Sequence, residues 1–174
     1  MPAETPETRL ALAALGAVDS ANSLHGGAGA RPSLAEIYAY ASDPSYRAGP
    51  EFLQRLQADP LLNADVRRLI SNLSAYELPR AAAAASGQIT RRESAGVLLT
   101  MTVSQARASQ AYLGVTLQDE QAFKPSRLSF VGRNGAVVHL SLPDFDDAET
   151  QVIVEIDSPA FRMFADPETE VFLA

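Results

Sequence analysis

Arg127-Leu-Ser-Phe-Val-Gly-Arg-Asn-Gly-Ala-Val-Val-His-Leu-Ser-Leu142 carries the reading that decides the fold of the C-terminal half. Two alternating runs flank Asn134-Gly135, a strong short-range hairpin signal. A two-residue Asn-Gly loop would set Val131 opposite Val138 and leave Leu128 and Phe130 on the other face from Val138 and Leu140. A three-residue loop, Arg133-Asn134-Gly135, sets Phe130 opposite Val138 and Leu128 opposite Leu140, gathering all four on one face. A slip of one residue reverses every side chain. The sequence therefore predicts the three-residue loop, with Gly135 left-handed and His139 pointing away from the apolar face.

The same period of two extends on both sides. Val97, Leu99, Met101 and Val103 alternate with Leu98, Thr100, Thr102 and Ser104. Leu113, Val115 and Leu117, then Val152, Val154 and Ile156, repeat the pattern, which is that of half-buried strands. Residues 160–165 and 170–173, around an Asp166-Pro167 turn, read as two more short strands. About six or seven strands with closely spaced turn signals predict an antiparallel sandwich or small barrel.

Before Gly96 the period is that of helices, with apolar residues at i, i+3, i+4 and i+7. A first helix is expected over residues 6–23, ending at Gly26-Gly-Ala-Gly29. Ser33-Leu-Ala-Glu36 forms a capping box for a second, with Leu34, Ile37, Tyr38 and Ala41 on one face. Gly49-Pro50 starts a third, which buries Phe52, Leu53 and Leu56. Asp59-Pro60 starts a fourth, whose stripe runs through Leu62, Val66, Leu69, Ile70, Leu73 and Tyr76 to Pro79. Arg67 and Arg68 lie off that stripe on a solvated face. The expected fold is α+β: a helical module of about four helices over 1–86, a linker over 87–95, and an antiparallel β domain over 96–174.

The 174 residues contain no Cys, which excludes disulfides, thiol nucleophiles and thiolate metal sites. The net charge is −7. Residues 1–95 are nearly balanced, nine bases against ten acids, whereas 96–174 hold five bases against eleven acids. An acidic field repels phosphate backbones, so no direct nucleic-acid binding is expected. No stretch approaches the roughly 20 apolar residues of a membrane span. The N-terminus has two acids before Arg9, unlike a secretory leader. A cytoplasmic protein is expected.

Catalytic motifs are incomplete. His25-Gly-Gly-Ala-Gly29 resembles an esterase oxyanion loop, but no Gly-x-Ser-x-Gly elbow accompanies it. No Gly-Lys-Ser/Thr follows to make a phosphate loop. Asp144-Phe-Asp-Asp-Ala-Glu149 gathers four carboxylates without the glycine or spacing of an EF-hand loop. Neither a cofactor nor a metal is expected.

Leu34-Ala-Glu-Ile-Tyr-Ala-Tyr40, Phe52-Leu-Gln-Arg-Leu-Gln-Ala-Asp-Pro60 and Asn63-Ala-Asp-Val-Arg-Arg-Leu-Ile70, ending in Pro79-Arg80, resemble the short helices of bacterial anti-sigma factors. The resemblance implies a helical sigma-binding module followed by a sensory domain, in a soluble form without zinc. A partner that is a sigma factor or another transcription regulator follows from it.

Together these features predict a non-catalytic regulatory or adaptor protein that binds another protein through the helices of residues 33–78. Tyr40, Tyr46 and Arg47, around the Asp43-Pro44 loop, and Arg67 and Arg68 are the candidate partner-binding residues. The alternative is a β domain that binds a small molecule or carbohydrate, with the helices as an accessory.

Overall fold

The computed structural model describes residues 31–80, 89–119 and 122–174. The helix expected over 6–23 and the alanine run 81–85 lie outside them.

Three helices open the described chain. In α1 (Leu34–Ser42) the Ser33 hydroxyl accepts from the Glu36 N–H, and the Glu36 carboxylate accepts from the Ser33 N–H, as the capping box predicts. α2 (Pro50–Ala58) and α3 (Pro60–Asn72) both start on proline, and the Asp59 carboxylate caps α3 by accepting from the N–H groups of Leu61 and Leu62. α3 stops before Tyr76, which the sequence pattern had placed on its stripe. The Ala75 N–H donates to the Leu173 carbonyl at 2.8 Å, and residues Tyr76–Leu78 become strand β1. Pairing with a distant strand outweighs the local helical period.

The remaining strands are β2 (Arg91–Ser94), β3 (Val97–Val103), β4 (Gln110–Leu117), β5 (Arg127–Val131), β6 (Val137–Ser141), β7 (Glu149–Glu155) and β8 (Glu170–Leu173). They form two antiparallel four-stranded sheets, ordered β1-β8-β5-β6 and β2-β3-β4-β7. The fold is α+β, and the sheets do not close into a barrel. The strand expected over 160–165 is instead helix α4 (Pro159–Ala165). Ser158 caps it by accepting from the Phe161 N–H, and Pro159 occupies its first turn. Arg91–Ser94, placed in a linker by the sequence, pairs with β3, and Tyr76–Leu78, placed with the helices, pairs with β8.

The β5–β6 register is the predicted one: Leu128 faces Leu140, Phe130 faces Val138, and Gly132 donates to the Ala136 carbonyl across a three-residue loop. Leu128, Phe130, Val171 and Leu173 face Val97, Leu99, Leu113 and Val115 of the other sheet in one buried core. Phe161 and Phe164 of α4 enter it, with the Phe164 ring edge-on to Phe130 at 6.5 Å. The opposite face of the first sheet is also covered. Val131 and Phe172 pack under Ile37, Tyr40, Phe52, Leu56, Leu62, Val66 and Ile70 of α1, α2 and α3. The order of layers is helices, first sheet, second sheet.

Arg92 clamps the connection between α4 and β8. Its buried guanidinium donates to the carbonyls of Phe164 (2.9 Å), Thr169 (2.8 Å) and Asp166, and lies 5.6 Å from the Phe164 ring centre. Burial lowers its pKa, with Asp166 opposing.

The hairpin tip bears on the helices. Gly135 has φ +80, and a Cβ there would meet Asn63 Nδ2 at 2.6 Å and Leu56 Cγ at 2.9 Å. Gly135→Ala should therefore lose at least ~2 kcal/mol in chemical denaturation, from left-handed strain and the displaced helices together. Unchanged stability would mean that the tip does not seat against α2 and α3.

Candidate functional site

Among the described residues four strands are edges, and three of them carry charge or are short, the usual protection against pairing with another chain. β1 has three residues and includes Glu77; β2 carries Arg91, Arg92 and Glu93; β7 carries Glu149 and Glu155. β6, Val137-Val-His-Leu-Ser141, has no charged residue.

The Leu142 N–H donates to the Ser126 carbonyl, which sets the antiparallel alternation. Leu140 and Val138 then turn their main-chain groups to β5, and Val137, His139 and Ser141 turn theirs outward. Beside that edge lies a cleft of about 560 Å³. Tyr46, Arg47 and Ala48 after α1 form one wall, Leu53 of α2 continues it, and Pro159 stands at the start of α4. Among the described residues Arg47 is the one cation lining the cleft, no carboxylate lines it, and no ion pair joins Arg47 to another residue. Its Nη1 donates to the Pro44 carbonyl at 2.9 Å, which holds the guanidinium over the loop.

Tyr40 and His139 make the floor rigid. The Tyr40 hydroxyl donates to the Gly135 carbonyl at 3.2 Å and accepts from the Val137 N–H at 3.0 Å. Burial raises its pKa. His139 Nε2 is 3.0 Å from the Tyr40 carbonyl, an acceptor only, so that nitrogen carries the proton. Nδ1 then accepts from the Ser129 hydroxyl at 2.8 Å. This Ser–His pair is not a nucleophile and base: Ser129 is 1% exposed, and a main-chain carbonyl orients the ring instead of a carboxylate. It ties the end of α1 to β5 and β6, as does Arg127 by donating to the Ser42 carbonyl.

Two other hollows differ in character. One of about 570 Å³ opens beside Arg31, Glu36, Glu51 and Arg55, ringed by charge and with no strand edge facing it. Another of about 480 Å³ lies over Gly114 on the outer face of the second sheet, where Thr116, Asp144, Asp146 and Glu149 supply oxygens. Within the acidic loop Asp146 bonds back to Glu149 in a tight turn, with Asp147 at φ 51. Among the described residues no three His, Cys, Asp or Glu side chains are placed to hold a metal ion. His25 lies outside them.

No family model, curated protein or solved structure matches the chain. Among the described residues no helix is long and apolar enough to cross a membrane.

The candidate residues fall in two places. Tyr40, Tyr46 and Arg47 meet at the cleft; Arg67 and Arg68 are on α3, away from it. Two positions on α1 differ from the sequence reading: Tyr40, a candidate for partner contact, is buried against Phe52, and Tyr38, placed on the apolar face, is exposed at 49%. The buried face of α1 is Ile37, Tyr40 and Ala41, set by where the first sheet lies. Arg67 is likewise not simply solvated. It grips Glu170 with two nitrogens, Nη2 at 2.6 Å from Oε1, and the Glu170 side chain is 7% exposed. Arg68 reaches only Asp65, at 3.6 Å near the surface. Leu53, expected to be buried with Phe52 and Leu56, is instead 37% exposed, because only Phe52 and Leu56 of α2 face the first sheet. The edge of β6 and Pro159 were not singled out by sequence; the lack of charge in residues 137–141 was the available signal.

Two outcomes follow. Arg67→Glu should destabilise by about 2–3 kcal/mol, since it sets a second carboxylate against buried Glu170, whereas Arg68→Glu should leave the thermal midpoint unchanged. Equal midpoints for both variants would remove the Arg67–Glu170 clamp. His139 has its pKa held below the ordinary 6.5, first by burial and also by Arg127, against the Tyr40 carbonyl and Asp43. The unfolded ring therefore binds a proton first as pH falls, so its contribution is complete above about 6.5 and is lost on acidification towards the folded pKa. Urea titrations between pH 7.5 and 5 should show this slope, and His139→Asn should flatten it.

Proposed function

We propose that this protein is a non-catalytic regulatory or adaptor protein that binds another protein at the cleft beside β6. The observation that carries this reading is a single uncharged sheet edge facing a cleft with apolar walls and one cation. The absence of an accessible nucleophile beside His139 fits the same reading. The route differs from the one the helical pattern suggests. The apolar stripes of α1, α2 and α3 pack on the protein's own first sheet, so they are not offered to a partner's groove. What remains for contact is the loop after α1, with Tyr46 and Arg47, and the outer side of α2, with Leu53.

The likeness of residues 34–80 to the helices of anti-sigma factors supplies a candidate partner, a sigma factor or another transcription regulator, in the cytoplasm. A second reading rests on the hollow over Gly114. A Cβ at Gly114 would meet Thr100 Oγ1 at 2.9 Å, so glycine keeps open a trough lined by hydroxyls and carboxylates, suited to a small polar molecule or carbohydrate.

The tagged full chain should retain a stoichiometric protein from an extract of its own cells. Leu53→Asp should weaken retention by about tenfold with little change in thermal midpoint, as for truncation of an interface anchor. Empty captures at low and moderate salt would sink the protein-binding reading and favour the trough.

A further inference from the structure

We infer that the cleft takes an extended segment of the partner as a fifth strand of the first sheet, laid along β6, with a carboxylate of that segment on Arg47. This inference rests on the protein-binding reading and specifies its chemistry.

Val137, His139 and Ser141 turn their N–H and C=O groups out from the sheet. The Tyr40 hydroxyl takes the Val137 N–H, and among the described residues no other hydrogen bond meets these outward groups. The Val137 carbonyl and both main-chain groups of His139 and Ser141 thus form a short template. Strand addition to such an edge draws affinity from the main chain and selectivity from pockets for alternate side chains. A segment paired there points alternate residues towards Leu53 and Ala48 on the helix side and Pro159 on the other.

The walls decide between occupants. A second copy presenting its own β6 would bring its α1–α2 loop and Pro159 against the same walls. A single extended segment needs only the space of the cleft. Among the described residues no Asp or Glu lines this cleft, and Arg47 does. A local cation without a carboxylate, in an acidic protein, is complementary to an acidic residue or a free C-terminus. Arg47 is already oriented by the Pro44 and Tyr46 carbonyls, so little side-chain order is lost on pairing.

The test selects displayed random peptides on the intact full chain. Selected peptides should share alternating apolar positions and an acidic residue or C-terminal carboxylate. As synthetic peptides they should shift the main-chain amide resonances of residues 138–141. Arg47→Glu and Leu53→Asp should each weaken them by about tenfold or more. N-methylation of alternate peptide amides should abolish binding, since it removes strand hydrogen bonds. The inference is overturned if no peptide is selected, if selected peptides ignore both substitutions, or if every N-methylated form binds as well as the parent. Thermal melts of both variants separate lost binding from lost folding. A cellular partner retained equally by wild type and Arg47→Glu would leave protein binding standing and remove strand addition. Failure both to retain a partner and to select a peptide would remove both, whereas a retained partner with no selected peptide would remove strand addition alone.

Discussion

The central strands of the first sheet, β5 and β8, have neither face in water, and most of the structure answers to that. β8 is buried at every residue, Glu170 through Leu173, and β5 is buried from Leu128 to Val131. One face supplies the core between the sheets and the other supplies the floor for three helices. Polar groups brought into such a sheet must be matched, because an unsatisfied group costs more than a made bond returns. Ser129 meets His139, Glu170 meets Arg67, and Arg127 Nη1 meets the Ser42 carbonyl, while among the described residues the buried Nε of Arg127 is left without a partner. Each match also crosses between elements, so the same contacts that satisfy polarity fix where the helices sit.

That arrangement leaves β6 in an unusual position. It lies at the rim of a doubly covered sheet, half-buried by the helix layer but with no neighbouring strand on its outer side among the described residues. Burial discourages charge along it, and the charge that protects the other edges is therefore missing. Helix packing also explains why the cleft has two kinds of wall: the loop after α1 must turn at Asp43-Pro44 to let α2 return over Gly135, and that turn holds Tyr46 and Arg47 beside the strand.

Much of this was legible locally. The caps at Ser33, Pro50 and Asp59 start α1, α2 and α3 where hydrogen-bonding needs place them. The β5–β6 register followed from the requirement that Leu128, Phe130, Val138 and Leu140 share a face. Residues 160–165 show the limit of periodicity: Ala160, Phe161 and Phe164 suit a short strand or a helical turn, and the Ser158-Pro159 cap was the better guide. Tyr76 and Arg91–Ser94 escaped because strands of three or four residues carry too little pattern of their own and exist through their partners. At the cleft, Tyr46 and Arg47 were visible as residues around a loop. Leu53 was read as a core residue because it adjoins the apolar stripe of its helix, and the edge of β6 was not visible, since an edge is defined only by the absence of a neighbour.

Side-chain alternation, caps and composition were enough to establish an acidic α+β chain without thiol chemistry, its main strands and the hairpin register, because each depends on residues a few positions apart. Tertiary structure alone decided that the helical stripes face inward, that Tyr40 and not Tyr38 is buried, and that Arg67 holds a carboxylate across 103 residues of sequence. Those outcomes depend on which surface each face meets, and contacts between distant segments leave no period in the chain.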